Sequence, residues 1–270
     1  MADIVANGVR IYYEEKGVGP AMVWAHGLGG TRDGWKGATD FFQKRFRVVA
    51  YDARGHGRSE IPDRPEAYSQ DIMVQDMRGV LEALGIDRAV VGGHSMGANV
   101  ALNFAFQYPE KCIGLIPVGI GSGSSDPQWW QKWWEGLANV AEKKGMGAFL
   151  DEMKKLPAWG SALNDPQIGG PISRTVLNNS SRAIAYTIRG IQRKRPSIFS
   201  LEPRLRQLKV PTLVVLSEGD TPAVECSRFM AQHIPGATLE VVPAKSHWPH
   251  LETPEEFLAV VERFVTKLAW

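Results

Sequence analysis

Short apolar runs recur along the first half of the chain and are separated by segments with helical spacing. Because these runs are continuously apolar, they predict strands that are buried on both faces of a parallel sheet. A more alternating run, Val9–Glu15, follows Asn7-Gly8, a dipeptide that predicts a hairpin turn. The four buried-strand candidates are Ala21–Ala25, Val48–Tyr51, Ala89–Gly92 and Ile113–Val118.

Two segments between these runs have the spacing or composition of helices. Asp71–Leu84 places apolar residues on one helical face, and Gly85 follows it as a helix stop. Met96–Tyr108 is small and apolar and ends one residue before Pro109. This alternation of strands and helices predicts an α/β fold with a mostly parallel central sheet flanked by helices.

The strand pattern is interrupted in the middle of the chain and then returns. No strand-like run appears from about residue 122 to residue 200, whereas Asp126-Pro127 predicts the start of a helix. We therefore expect a core segment over residues 1–121, a helical lid inserted over residues 122–204, and a second core segment over residues 205–270. The second core segment carries the strand candidates Thr212–Leu216 and Leu239–Val242 and the helix candidates Ala223–Ile234 and Pro254–Leu268.

Composition and charge narrow the class of protein. The 270 residues are 44% hydrophobic and 22% charged, with a formal net charge of +2, which is ordinary globular usage without a basic stripe for nucleic acid. No run is long and apolar enough to span a membrane, and no leader-like segment opens the sequence. Cys112 and Cys226 form no CxxC pair, so we expect no disulfide framework and a reducing, cytoplasmic setting for a monomer or homodimer.

The strongest chemical signal is Gly93-His94-Ser95-Met96-Gly97, which lies between a strand candidate and a helix candidate. This is the context of a G-x-S-x-G nucleophile elbow. A sharp strand-to-helix turn crowds the serine against the residues two before and two after it, so only very small side chains fit there. The helix N-terminus behind Ser95 favours developing negative charge, and we predict Ser95 as the nucleophile.

A serine hydroxyl requires a base, and that base requires an acid that orients it. Of the six histidines, His247 is in a loop between the last strand and the last helix, where it can reach back over the carboxyl edge of the sheet. Asp220 follows the strand candidate Thr212–Leu216 and gives the chain order Ser…Asp…His. Asp126 and Glu218 are the alternative acids, although Asp126 is well explained as a helix cap.

The negative oxygen of a tetrahedral intermediate requires two hydrogen-bond donors. Met96 supplies one N–H directly after the nucleophile. Leu28, in the loop His26-Gly27-Leu28-Gly29-Gly30 after the strand candidate Ala21–Ala25, is placed to supply the other. In this arrangement His26 braces the loop by hydrogen bonds.

Taken together, these motifs resemble the α/β-hydrolase fold superfamily, in particular its lidded serine esterases and lactonases. The matching residues are His26–Gly30, Tyr51–Ser59, Gly93–Gly97, Asp220, and His247 through Pro254 and Phe257. In similar proteins the segment Asp52–Ser59 is a structural turn beside the site, and we expect the same here for Asp52, Arg54 and His56. Haloalkane dehalogenases and epoxide hydrolases of similar fold have aspartate at the elbow, so Ser95 disfavours both chemistries.

This resemblance implies hydrolysis of a small carboxylic ester or lactone, without a metal or an organic cofactor. The alternatives are a hydrolase of carbon–carbon bonds in ring-cleavage products, and a ligand receptor of the same fold with slow or no turnover. A carbon–carbon hydrolase requires an arginine that binds a carboxylate, for which Arg189 and Arg193 are conceivable.

The predicted lid carries two further features. Trp129, Trp130, Trp133 and Trp134 recur on adjoining strips of one helix. They either pack on the core or form an aromatic wall above Ser95, so Trp129, Trp130, Trp133 and Trp159 are candidate substrate-binding residues. Met153 is a further candidate for this pocket. The basic run Arg189…Arg193-Lys194-Arg195 is more typical of a solvated lid face than of an anion site.

Overall fold

The computed structural model describes residues 1–121 and 127–270. Its centre is an eight-stranded sheet in the order β1-β2-β4-β3-β5-β6-β7-β8. Pairs β1/β2 and β2/β4 are antiparallel and the other pairs are parallel. The strands are β1 Ala2–Ala6, β2 Val9–Lys16, β3 Ala21–Ala25, β4 Arg47–Tyr51, β5 Ala89–His94, β6 Cys112–Val118, β7 Leu213–Ser217 and β8 Thr238–Val242.

Helices cover both faces of the sheet, as the sequence predicts. The helices of the two core segments are α1 Lys36–Phe42, α2 Gln70–Ala83, α3 Met96–Gln107, α9 Thr221–His233, α10 Pro249–Glu252 and α11 Pro254–Val265. Residues of α1 and α11 pack on one face of the sheet, and residues of α2, α3 and α9 pack on the other. The mostly parallel sheet flanked by helices is therefore confirmed.

Successive side chains of β3 point to opposite faces of the sheet, so this strand contributes to the hydrophobic core on each face. Ala21, Val23 and Ala25 belong to the core under α2 and α3, whereas Met22 and Trp24 belong to the core under α1 and α11. Because both faces are covered, every position of this strand is apolar.

Between β6 and β7 the described residues form helices and no strand. They are α4 Pro127–Lys154, α5 Pro157–Leu163, α6 Gly169–Leu177, α7 Ser181–Thr187 and α8 Glu202–Gln207. A helix-breaking conformation at Gly145, with φ 82° and ψ 177°, divides α4 into two parts. This helical insertion packs its apolar side on the core that contains α2 and α3.

The hairpin at the start of the chain forms as predicted. Ala6 pairs with Val9, and Asn7 and Gly8 both have positive φ, at 48° and 74°. Positive φ at both central residues is the conformation that Asn-Gly favours in a two-residue hairpin loop. Within the two described ranges, we find no helix with the length and apolar character of a membrane span.

Candidate active site

Ser95 lies at the turn between β5 and α3, and its backbone has φ 53° and ψ −107°. This left-handed region is unfavourable for a residue with a Cβ, so the turn is strained. The Ser95 N–H donates to the Val118 carbonyl at 2.9 Å, which ties the turn to the neighbouring strand β6. The side chain of Ser95 is partly exposed. The structure thus contains the strand–turn–helix geometry of a nucleophile elbow.

The two glycines of the elbow motif are required by close backbone contacts. A Cβ on Gly93 would lie 2.9 Å from the Ala25 carbonyl oxygen and would also overlap the backbone of Gly97. A Cβ on Gly97 would lie 2.8 Å from the His26 carbonyl oxygen. Real Cβ contacts are longer than this, so larger residues at either position would displace the strand from the elbow.

Asp220 and His247 form a buried pair at the carboxyl edge of the sheet. Asp220 lies directly before α9, and its Oδ2 is 2.7 Å from Nδ1 of His247. An ionised carboxylate only accepts hydrogen bonds, so Nδ1 of His247 donates and the lone pair of the neutral ring is on Nε2. This is the tautomer that a general base requires.

Nε2 of His247 is buried and forms no hydrogen bond to any group in the described part of the chain. The hydrogen bond between Ser95 and His247 is therefore not formed in this structure. The residue adjacent to Ser95, however, contacts the histidine directly, since the rings of His94 and His247 have centroids 4.6 Å apart. The structure thus brings Ser95, Asp220 and His247 to one end of the sheet, from three separate loops.

Sequence reasoning missed the residues that hold the His247 loop in place. Glu252 accepts hydrogen bonds from the Lys245 N–H at 2.8 Å and from the Ser246 N–H at 2.9 Å. A second brace comes from His94, whose Nε2 donates to the His247 carbonyl at 2.7 Å. Neither brace could be found from the sequence, because both depend on contacts that only the fold creates.

The loop after β3 approaches the elbow closely enough to supply an oxyanion donor. A Cβ on Gly27 would lie 2.7 Å from Nδ1 of His94 and 3.3 Å from the Ser95 Cβ, so a larger residue would push this loop away from the elbow. Gly29 has φ 73°, and the Gly30 N–H donates to the Gly27 carbonyl at 3.0 Å, which closes a tight turn around Leu28. Leu28 and Met96, the two predicted donors, thus lie in backbone segments on either side of Ser95.

His26 braces this loop, as the sequence predicts. Its Nε2 accepts a hydrogen bond from the Ala53 N–H at 2.9 Å, so Nδ1 carries the proton and donates to the Gly27 carbonyl at 2.7 Å. Asp52 is buried and accepts hydrogen bonds from the backbone N–H groups of Arg32 and Arg58 at 2.8 and 2.9 Å. These contacts agree with a structural role for the turn that follows β4.

Four buried histidines are neutral in the folded protein. Burial lowers the pKa of His26 to about 4, and the pKa values of His56 and His250 to about 3. The pKa of His94 is well below its ordinary value, first because of burial and then because of the neighbouring imidazoles of His247 and His250. His250 stacks on Trp35 with ring centroids 4.4 Å apart, so its ring is part of the packed interior.

We expect the free energy of unfolding to fall by about 5 kcal/mol between pH 7 and pH 5.5, because four histidines titrate only after unfolding. A folded pKa below the unfolded value means that the unfolded chain binds more protons. Stability is therefore full above the unfolded pKa and declines as the pH falls from about 6.5 towards 4. Urea unfolding followed by circular dichroism at both pH values measures this change. A decrease of less than about 1.3 kcal/mol, the contribution of a single histidine, would contradict it.

The tryptophans of the helical insertion form a cluster that ends at the loop of His247. Trp129 is 55% exposed and stacks on Trp133, and the Trp133 and Trp134 rings meet edge to face. Trp134 contacts Trp159, whose ring centroid is 5.7 Å from that of His247. Of the candidate substrate-binding tryptophans, Trp159 is thus the one next to His247, and Trp129 is the most exposed. Met153 is buried in the core on the α2 and α3 side.

The basic run of the insertion is only in part the solvated face that the sequence suggests, since Lys194 is exposed and Arg189 and Arg193 are partly exposed. Arg189 pairs with Glu135 at 2.9 Å and with Glu142 at 2.8 Å, and Arg193 pairs with Glu135 at 3.2 Å. Arg195 is buried. The interpretation is wrong for Arg195, because periodicity alone could not show that the end of this run turns inward. Of the possible acids, Glu218 is exposed, and Asp126 lies outside the described residues.

A cavity of about 290 Å³ lies between the loop after β3, helix α6 and the segment that follows His247. Its described lining is mainly apolar and includes Leu28, Ile172, Val176 and Trp248. Gly27 and His94, both next to Ser95, form the end nearest the elbow. None of the four candidate substrate-binding tryptophans lines this cavity. Across residues 1–121 and 127–270, no group of three or more His, Cys, Asp or Glu side chains could hold a metal ion.

Comparison with known proteins identifies a family. The family model for the alpha/beta hydrolase fold matches residues 20–254. The chain is 27% identical over 265 residues to 3-oxoadipate enol-lactonase 2 of Acinetobacter baylyi, covering 96% of this chain and 94% of that protein.

Two solved structures of hydrolases are also similar to this chain along nearly its whole length. An enol-lactonase from Burkholderia xenovorans LB400 superposes with a TM-score of 0.86 at 26% identity, covering 98% of this chain and 100% of that one. A thermophilic esterase from Thermogutta terrifontis, with malate bound, superposes with a TM-score of 0.88 at 27% identity, covering 98% of both chains.

Proposed function

The chain belongs to the alpha/beta hydrolase fold family, and from this premise we propose that it is a serine hydrolase that cleaves a small carboxylic ester or lactone. The observation that carries the proposal is the buried pair of Asp220 and His247, with Nδ1 and Oδ2 2.7 Å apart, beside the strained turn at Ser95. A histidine whose tautomer is fixed by a carboxylate, and whose other nitrogen is free to accept the proton of a serine hydroxyl, is the arrangement that makes an alcohol nucleophilic.

In the first half of the reaction Ser95 Oγ attacks the carbonyl carbon while Nε2 of His247 accepts its proton. The Oγ–Nε2 hydrogen bond that this step requires forms when substrate is bound, because catalytic contacts are often long in unliganded enzymes. Asp220 stabilises the charged imidazole, and the Leu28 and Met96 N–H groups stabilise the oxyanion.

Acylation is complete when His247 protonates the leaving oxygen, the bond from the carbonyl carbon to that oxygen breaks, and the acyl group remains on Ser95. In the second half water attacks the acyl carbon while His247 accepts its proton, the bond to Ser95 Oγ then breaks as His247 returns a proton to Oγ, and the acid product leaves. No step requires a metal ion or an organic cofactor.

Two surfaces are proposed to select the substrate. The 290 Å³ cavity is about the size of a compact ring or short chain, and its apolar lining suits the hydrocarbon part of an ester or lactone. We assign Trp159 to the wall next to His247, and Trp130, Trp133 and Trp129 to the aromatic surface that continues from it, with the helices α4 to α8 acting as a lid over the site. The names of the relatives, enol-lactonase and esterase, support an acyl carbon–oxygen bond as the target.

A fluorophosphonate probe tests the proposal directly, because it phosphonylates only a serine whose hydroxyl is activated. We expect one equivalent of adduct per chain, located on Ser95 by peptide mass spectrometry, with complete loss of p-nitrophenyl butyrate hydrolysis. An active-site burst of one p-nitrophenolate per chain should accompany turnover of that ester. An adduct elsewhere, or the absence of both adduct and hydrolysis, would contradict the proposal and would favour the receptor alternative.

A further inference from the structure

Three arginines of the described chain are more than nine-tenths buried, and two of them have a carboxylate partner. Arg32 pairs with Asp52 at 3.0 Å, and Arg54 pairs with Asp76. Arg195, in the helical insertion, is only 8% exposed, yet no carboxylate within the described residues lies within ion-pair distance of it. In two of these three cases a carboxylate thus neutralises the buried guanidinium, and Arg195 is the exception.

The hydrogen bonds of Arg195 are also incomplete. Nη2 donates to the Gly121 carbonyl at 2.9 Å, whereas Nε and Nη1 are buried without a partner among the described residues. A guanidinium has five N–H donors, and burying an unpaired cation costs far more than burying a neutral group. Burial accordingly lowers the pKa of Arg195 to about 9. An anion at this position would accept the missing hydrogen bonds and would neutralise the buried charge.

Arg195 lies on one side of the catalytic residues. The Gly121 carbonyl that it contacts is two residues beyond Gly119, where a Cβ would be 3.4 Å from Cε1 of His247. Two residues span at most about 7 Å, so the contact is close to the catalytic histidine. The guanidinium also lies over the Trp130 ring, 5.8 Å from its centroid.

We propose that Arg195 binds a carboxylate of the substrate, so that the substrate class is an ester or lactone that carries a free carboxylate. This inference rests on the proposed hydrolase function of Ser95. A carboxylate supplies the hydrogen-bond acceptors that Nε and Nη1 lack and neutralises the buried charge, and charge-assisted bonds of this type are the strong ones. Because these nitrogens are covered, the carboxylate must enter while the lid is displaced.

The sheet order predicts how such a substrate lies. Strand β5, which carries Ser95, is between β3 and β6, and neighbouring strands are about 4.8 Å apart. The apolar cavity is built on the loop after β3, whereas Gly121 follows β6. The hydrocarbon part and the carboxylate should therefore lie on opposite sides of the carbonyl that Ser95 attacks.

Two p-nitrophenyl esters of equal acyl length test the proposal: the neutral pentanoate and the mono-ester of glutaric acid, which ends in a carboxylate. We expect the wild-type protein to prefer the glutarate ester in kcat/KM. Arg195→Met should lower the ratio of glutarate to pentanoate kcat/KM by about 100-fold, because the interaction lost is a buried charged one. Arg193→Met is the matched control, since that arginine pairs with Glu135 and is partly exposed, and it should leave the ratio unchanged.

Each outcome separates this inference from the function on which it rests. Hydrolysis of both esters without a preference for glutarate, or equal losses on both esters in Arg195→Met, would overturn the carboxylate site and leave the hydrolase intact. Hydrolysis of neither ester by the wild type would instead remove the proposed function.

A binding measurement does not depend on turnover or on the Met variant being folded. Glutarate should raise the melting temperature of the wild type more than the neutral glutaramide does at equal ionic strength, and should fail to do so in Arg195→Gln. Equal shifts with both compounds in the wild type would refute the site even if neither Arg195 variant folds.

Discussion

Replacing Ser95 with alanine is expected to lower kcat/KM for p-nitrophenyl butyrate by at least about 10⁴-fold while the protein stays folded. The loss corresponds to about 5.5 kcal/mol of transition-state stabilisation, since each tenfold change is 1.36 kcal/mol. Without Oγ no acyl-enzyme can form, so only the oxyanion donors and substrate binding remain to assist water. Initial rates and circular dichroism on the same preparation measure both parts of this prediction.

The fold should tolerate this change because alanine, like serine, has a Cβ, so the backbone strain at the elbow is the same in both proteins. Ser95 has φ 53°, and its N–H bond to Val118 does not involve the side chain. Ser200→Ala is the matched control, because Ser200 is exposed and its hydroxyl bonds only locally, to the Ser197 carbonyl at 2.7 Å. Activity of the Ser95 variant within tenfold of that control would refute Ser95 as the nucleophile.

The elements that position the site could be predicted from the sequence, because the patterns that indicate them lie within a few neighbouring residues. Strand β3 has the bounds that its apolar run predicts, and the helix α3 begins at Met96 as expected. The elbow glycines, the Asn7-Gly8 hairpin and the proline at the start of α11 each act through their own backbone geometry. Such features can be predicted from a few neighbouring residues.

Features that depend on distant contacts could not be predicted in this way. Helix α1 was missed since its apolar residues are too few to show a period, and it is fixed by packing against β4 and α11. Glu252 and His94 support the His247 loop through bonds that span different elements. The burial of Arg195 depends on how the insertion folds back over β6, and a charged run in a sequence carries no sign of it.

Changing Asp220 to asparagine is expected to lower kcat by about 10⁴-fold, although the two side chains have the same shape. The carboxylate accepts the Nδ1–H of His247 at 2.7 Å and so leaves the lone pair on Nε2. An amide can turn its NH₂ group towards Nδ1, which favours the opposite tautomer, with the proton on Nε2. That ring cannot accept the proton of Ser95, and no negative charge is left to stabilise an imidazolium.

The size of the loss in kcat distinguishes two possible roles of Asp220: an acid that orients His247, and a cap of helix α9. Loss of a cap costs about 1 kcal/mol of stability and little activity, and the structure finds no cap hydrogen bond from Asp220 to α9. Glu218→Gln is the matched control two residues earlier, where the side chain is exposed, and Asp126→Asn tests the other acid that the sequence allows. Pre-steady-state kinetics should show that acylation slows in Asp220→Asn while substrate binding is retained. If Asp126→Asn were instead the inactive variant, the orienting role would belong to residue 126, and the bond between Asp220 and His247 would be structural only.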